Sequence, residues 1–287
     1  MTMFTLGILH PGEMGISLAA AALRAGHEVY WASAGRSAGT RERAEQYGLK
    51  EVPTLKDLCD ACTAIISVCP PHAAEHTARQ VLAGNYRGIY LDANAISPQH
   101  TQHIGTIMSD AGVDFVDGGI IGPPAWKPKT TWLYVSGAAG SRIPALFRAG
   151  PLETQVLGDR VGDASALKIC FAAYNKGSIA LLCAVLAAAQ QLGVRQQLQQ
   201  HWDKQGSYLA GGKAQALVEG IIRKAWRFTG EMEEIAATFE QVGVTGEFHT
   251  AANHLYEQLI QYKDIREMPA LQEILEALVR LNGTVSS

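Results

Sequence analysis

His10-Pro11-Gly12-Glu13-Met14-Gly15 is the first stretch of this chain whose residue types and spacing could do chemistry. It lies between an apolar run (MFTLGIL) and an alanine-rich run with helical spacing (GISLAAAALRAG). A strand–turn–helix of this kind binds phosphate when glycines open the turn: Gly12 would let the backbone approach a pyrophosphate, and Gly15 would let the helix close onto the strand. The helix N-terminus would supply free N–H groups and the positive end of its dipole. The usual fingerprint has one more glycine to make the tight turn. His10-Pro11 replaces it, with Pro11 holding φ near −65°. At the end of the next apolar run (HEVYWAS), an acid would normally hold a ribose 2′-hydroxyl. Here the tip residues are Ala32 and Ser33, followed by Arg36, Ser37, Thr40 and Arg41. Two guanidinium groups and two hydroxyls, with no acid at the tip, suit a 2′-phosphate. The expected cofactor is therefore NADP(H), bound by His10, Pro11, Gly12, Glu13, Met14, Ser33, Arg36, Ser37 and Arg41. The alternative is a chance pair of glycines with arginines that merely face solvent.

A second candidate is the Gly/Pro-rich stretch DGGIIGPPAWKP, which begins at Asp117. Gly118, Gly119 and Gly122 permit close backbone approach, and Pro123 and Pro124 stiffen the exit. Ligands in open α/β sheets bind at the carboxyl ends of strands. Gly119, Ile120, Ile121 and Gly122, with Trp126 beside them, are thus expected to wall a substrate that has an apolar portion. His72, Glu75 and His76 (HAAEH) have the order of a zinc-protease pattern, but a solvated helix face explains them better, and no metal is expected. His249 and His254 could reach a partner's cleft.

Elements must position these groups. Through the first half, short apolar runs alternate with helical patterns: strands in MFTLGIL, HEVYWAS, TAIISVC, GIYLDAN, VDFVDGGII, TTWLYVSG and ETQVLG, with helices between them. That alternation means βαβ units and a mostly parallel sheet. Past residue 160 no strand pattern remains. Residues 163–192 read as one helix, about 45 Å long at 1.5 Å per residue, and a helix of that length serves as a spine or an interface. The expected architecture is an α/β Rossmann-like N-terminal domain (1–160) and an all-α C-terminal domain (161–287) joined by the long helix. The C-terminal domain is expected to hold substrate and to pair two chains as a homodimer.

At this point the chain resembles the β-hydroxyacid dehydrogenases, which include 3-hydroxyisobutyrate and 6-phosphogluconate dehydrogenases and, more distantly, imine reductases. GEMG followed by AGHEVYWASAGR resembles the family's glycine loop, second strand and arginine turn. SVCPP stands where the family has a proline loop over the cofactor, which adds Cys69 and Pro70 to the cofactor-binding set. LDANAISP is similar to a family stretch beside the nicotinamide and adds Asn94. GDASALK resembles G-x-G-x-x-x-K, whose lysine is the family's catalytic residue, so the resemblance makes Lys168 the catalytic candidate. It implies an oxidoreductase in which Lys168 exchanges a proton with the substrate oxygen while a hydride moves to or from the nicotinamide. Departures accompany these matches. The family's substrate serine falls at Ile121, its asparagine after the lysine falls at Ala172, and a later lysine gives way to Glu231, Glu233 and Glu234. On a helix, Asn175 and Lys176 share a face with Lys168. Asn175 is thus a replacement polar neighbour, and Lys176 a cation that could lower the basicity of Lys168. Carbonyl reduction leads. Reduction of C=N and a redox-sensing role without turnover stay open.

Composition narrows the partners to a small molecule. A formal charge of −3 without a basic block argues against nucleic acid. No uncharged run of about 18 residues with membrane-like flanks is expected, and MTMFTLGIL lacks the charged start and cleavage site of a signal peptide. Five cysteines without framework spacing point to a reducing, cytoplasmic compartment.

Overall fold

The computed structural model describes residues 3–279. They divide into two compact units, the first ending at Ile169 and the second beginning at Cys170. The first contains β1 (Thr5–Ile8), α1 (Glu13–Arg24), β2 (Glu28–Ala32), α2 (Ala38–Gln46), β3 (Lys50–Val52), α3 (Leu55–Ala61), β4 (Ala64–Ser67), α4 (Ala74–Ala83), β5 (Ile89–Asp92), α5 (Pro98–Asp110), β6 (Asp114–Ile121), β7 (Trp132–Ser136), α6 (Pro144–Phe147) and β8 (Glu153–Gly158). The helix α7 (Asp163–Gln191) follows, then α8 (Arg195–Lys204), α9 (Lys213–Ile222), α10 (Ala225–Gln241), α11 (Glu247–Leu259) and α12 (Leu271–Val279).

The strands form one sheet in the order β3-β2-β1-β4-β5-β6-β7-β8. All neighbours are parallel except β6 and β7. The order turns back between β1 and β4, which opens a crevice at their carboxyl ends. His10 follows β1 and Cys69 follows β4, so both candidate loops flank that crevice. The β4 and β5 strands (AIIS, IYLD) are buried along their whole length, as parallel strands covered on both faces must be. Leu6, Ile8, Val29, Ile66, Leu91 and Val116 form the core with α1's alanines. Helix starts follow local chemistry. Ser37 and Ser97 accept N–H groups at the starts of α2 and α5, and Thr54 and Asp57 make a reciprocal capping box on α3.

The sequence missed β3, three residues (KEV) without an apolar pattern, and α6. In the second unit the regular elements of the described residues are all helices. α10 and α11 pack around Met232, Ile235, Tyr256 and Leu259, which are fully buried. Tyr256 Oη donates to Lys176 O at 2.7 Å, and Phe228 meets the Tyr256 ring edge-on. The unit boundary falls inside α7, nine residues beyond the expected 160, because the first turns of that helix are built into the sheet. One expectation needs correcting. By length and composition α7 could cross a membrane, although 44% of its most apolar stretch is buried within the protein.

Candidate functional site

The β1–α1 loop turns without the missing glycine. Gly12 N–H donates to His10 O at 2.8 Å, an i to i+2 turn centred on Pro11, whose fixed φ suits that geometry. The next constraint is Gly15: a Cβ there would lie 2.2 Å from His10 O, so only glycine lets α1 close onto the loop. Gly12 is exposed, and a Cβ on it would meet nothing within 4 Å. No side chain caps α1, which leaves its first N–H groups open to an anion. Arg36 folds back onto the loop and donates to Leu9 O at 3.0 Å. Its Nε and the Nδ1 of His10 are buried and make no hydrogen bond. Burial, with the Arg36 charge beside it, lowers the His10 pKa to about 4, so His10 is neutral at physiological pH. Uncapped amides, a guanidinium and two buried polar atoms without partners fit a dinucleotide's phosphates.

At the tip of β2 the structure corrects the sequence reading. A carboxylate is present after all. Glu51, on β3 and in register with Trp31, pairs with Arg41 at 3.3 Å. Arg41 also donates to Ser33 O at 2.8 Å. Ser37 caps α2 by accepting Thr40 N–H at 3.3 Å. Arg43, which was not singled out from the sequence, donates to Pro11 O at 3.0 Å and braces the loop.

Asn94 ties the ends of β4 and β5 together. Its Oδ1 accepts Cys69 N–H at 2.6 Å, its Nδ2 donates to Ser67 Oγ at 3.2 Å, and its N–H donates to Asp92 Oδ1 at 3.0 Å. Lys168 Nζ donates to Asn94 O at 3.3 Å. The lysine is thus brought to the residues expected beside the nicotinamide. Pro70 is exposed at the start of the loop after β4.

What aims Lys168 is a residue given no role from sequence: Asp117. It is fully buried in β6. Its Oδ2 accepts Ser136 Oγ (2.9 Å), Gly162 N–H (3.0 Å) and Ser165 N–H (3.1 Å), and its Oδ1 accepts Ser165 Oγ (2.6 Å). Ser136 Oγ in turn accepts Ala164 N–H at 3.2 Å. A carboxylate at a helix N-terminus meets both the free N–H groups and the dipole. A signal was available, because an acid inside the apolar run VDFVDGGII must find partners when buried.

Of the expected substrate wall, three residues carry structure instead. At Gly119 a Cβ would lie 2.5 Å from Ala164 O and 3.3 Å from Lys168 Cβ, so its missing side chain admits α7. Ile120 is in the core. Gly122, at φ +123°, would put a Cβ 2.3 Å from Thr130 O. Ile121 is partly exposed at the end of β6. Trp126 stacks on Tyr47 at 5.2 Å over a cavity of about 410 Å³ that Glu13 and Arg43 also line, away from Lys168.

In the second unit, Asn175 is exposed and donates to Phe171 O, within its own helix, at 2.9 Å. Lys176 is ion-paired to Glu231, which cancels the repulsion expected of it. His249 is buried against Phe239 and Phe248, so it does not face a partner. His72 and His76 are exposed, and Glu75 between them pairs with Arg79.

Residues 5–143 match a family described as the NAD binding domain of 6-phosphogluconate dehydrogenase, and residues 189–259 match a domain of unknown function (DUF1932). An uncharacterized 28.5 kDa protein of Methanothermus fervidus is 34% identical over 173 residues, which are 60% of this chain and 65% of that protein. A conserved protein of unknown function, reported as structurally similar to 3-hydroxyacid dehydrogenases, is 28% identical, with 90% of this chain and 98% of that one covered at a TM-score of 0.71. Mycobacterium tuberculosis 3-hydroxyisobutyrate dehydrogenase with L-serine shares the fold at 15% identity, covering 96% and 99% of the two chains at a TM-score of 0.72. With its mostly parallel Rossmann-like sheet followed by a helical C-terminal unit, the chain has the fold that these 3-hydroxyacid dehydrogenase-like structures share.

Proposed function

We propose that this protein is an NADP(H)-dependent oxidoreductase that reduces a small carbonyl compound with an apolar portion, or oxidises the matching alcohol, with Lys168 as general acid/base. The observation that carries the reading is Lys168 Nζ held on Asn94 O at 3.3 Å, at the carboxyl end of the parallel sheet. When bound, the cofactor supplies or accepts the hydride. The chain's residues do the rest. The α1 amides and Arg36 bind phosphates, Asn94 orients Lys168, and Lys168 gives the carbonyl oxygen a proton as hydride reaches its carbon, or takes it back in reverse. Proton transfer of this kind contributes roughly 10²–10⁴-fold.

Preference for the 2′-phosphate rests on Arg41. Its guanidinium lies on Ser33 O, and its pair with Glu51 is about half exposed. Such pairs are worth about 0–1 kcal/mol, so a phosphate can displace Glu51. Pairing of two chains is supported by α7. Phe171, Tyr174, Leu181 and Val185, with Leu192 just past its end, are exposed at heptad-compatible spacing, Tyr174 at 77%. All five cysteines are free thiols, which goes with a cytoplasmic setting.

The test is a screen of aldehydes, ketones, keto acids and cyclic imines with NADPH, run on wild type and Lys168→Met. A substrate reduced by wild type is expected to lose at least about 10²-fold in kcat with Lys168→Met, while cofactor affinity stays within about threefold. Equal turnover by the variant would remove Lys168 from the chemistry. A protein that binds NADPH and turns over nothing would be a sensor instead.

A further inference from the structure

Asp92 ends β5 in a row of four buried polar residues that crosses the sheet in register: Ser67 on β4, Asp92 on β5, Asp117 on β6 and Ser136 on β7. Two carboxyl groups on neighbouring strands in the same buried row cannot both be cheaply ionised. Their surroundings decide which holds the charge. Asp117 accepts four hydrogen bonds at the N-terminus of α7. Asp92 accepts one, from Asn94 N–H at 3.0 Å, while its Oδ2 is buried and makes none. The residue is 2% exposed, so water does not compensate.

The charged and titratable groups around Asp92 are few. Tyr90 precedes it on β5, Cys69 follows β4, Asp117 faces it from β6, and Lys168 faces it from α7. Lys168 is the cation in this set, and the two are also linked mechanically. Asp92 holds the N–H of Asn94, and Asn94 holds Lys168 through its carbonyl.

We propose, resting on the assignment of Lys168 above, that Asp92 is a positioning residue for it: a buried carboxyl that fixes Asn94 as the mount of Lys168 and, by keeping its proton, withholds a counter-charge from the lysine. With Asp92 protonated, the ammonium lacks the pull of that carboxylate and releases its proton more readily. With Asp92 ionised, the ammonium is held. Burial and the neighbouring Asp117 raise the Asp92 pKa from its ordinary 3.8 to about 7, against the lowering pull of Asn94 and Lys168, so this exchange falls in the physiological range.

The coupling is reciprocal and can be read without turnover. Infrared spectroscopy of the cofactor-free protein follows the carbonyl stretch of a protonated, buried carboxyl from pH 5 to 9. Wild type is expected to show a band that titrates near pH 7, and Asp92→Asn is expected to lack it. In Lys168→Met, which leaves Asp92 in place, the band is expected to titrate higher by about half a unit or more, because the cation that lowered its pKa is gone. Absence of the band, or an unchanged midpoint in Lys168→Met, would overturn the proposal. Should Asp92→Asn fail to fold, the comparison of wild type with Lys168→Met still decides. If a substrate is in hand, Asp92→Asn is expected to move the alkaline limb of reduction to lower pH. A shifted band with no catalysis would remove the role of Lys168 and leave the coupling standing.

Discussion

Arg41 divides its guanidinium between Ser33 O and the Glu51 carboxylate, and the choice of cofactor turns on how firmly. In the proposed reading the exposed pair yields to phosphate. Glu51→Gln would then remove a competitor and a like charge at once, a gain of about 1 kcal/mol. NADPH is expected to bind roughly three- to tenfold more tightly, with NADH unchanged within about twofold, by fluorescence titration. An equal change for both would show that Arg41 does not read the phosphate. The β1–α1 loop was legible from sequence because strand, Gly pair and helix are consecutive. Glu51 was not. It reaches the β2 tip through a three-residue strand with no hydrophobic signature, and only sheet register brings it there. Asn175 and Lys176 show the opposite error. Helical spacing placed them correctly on α7 but could not reveal that Phe171 O and Glu231 would claim them.

At the scale of elements, the junction of β6 with α7 sets the geometry of Lys168. Gly119 is its contact point. Gly119→Ala would place a methyl 2.5 Å from Ala164 O, a backbone atom that can move only with the helix. Overpacking of this kind costs about 1–3 kcal/mol. The variant is expected to lower Tm by several degrees and to reduce turnover more than cofactor affinity, since α1 and its loop are untouched. An unchanged rate in a folded Gly119→Ala would show that the lysine's position tolerates the shift. The sequence revealed that these glycines permit close approach but not of what. The partners are the protein's own backbone at Ala164 and Thr130, contacts remote in sequence. Asp117 escaped notice for the same reason, because its donors at Ser136, Gly162 and Ser165 lie 19 to 48 residues away.

For the whole molecule, the two-part plan was the most legible feature, since the hydrophobic period changes from alternating to helical once along the chain. The boundary was less so, because α7 belongs to both units. Its exposed apolar face is the basis for the proposed dimer. Leu181→Glu alters a residue that is 52% exposed, so the fold should tolerate it, while a charge on that face should split a dimer. Light scattering is expected to give twice the chain mass for wild type and the chain mass for the variant. A monomeric wild type at micromolar concentration would contradict the pairing.

The most direct test of the central claim is a titration of the purified protein with NADPH and with NADH, followed by cofactor fluorescence. The account predicts saturable NADPH binding with NADH weaker by about tenfold or more, about 1.4 kcal/mol. Failure to bind either would mean that His10-Pro11-Gly12 does not form a phosphate site, and the proposed oxidoreductase would fall with it.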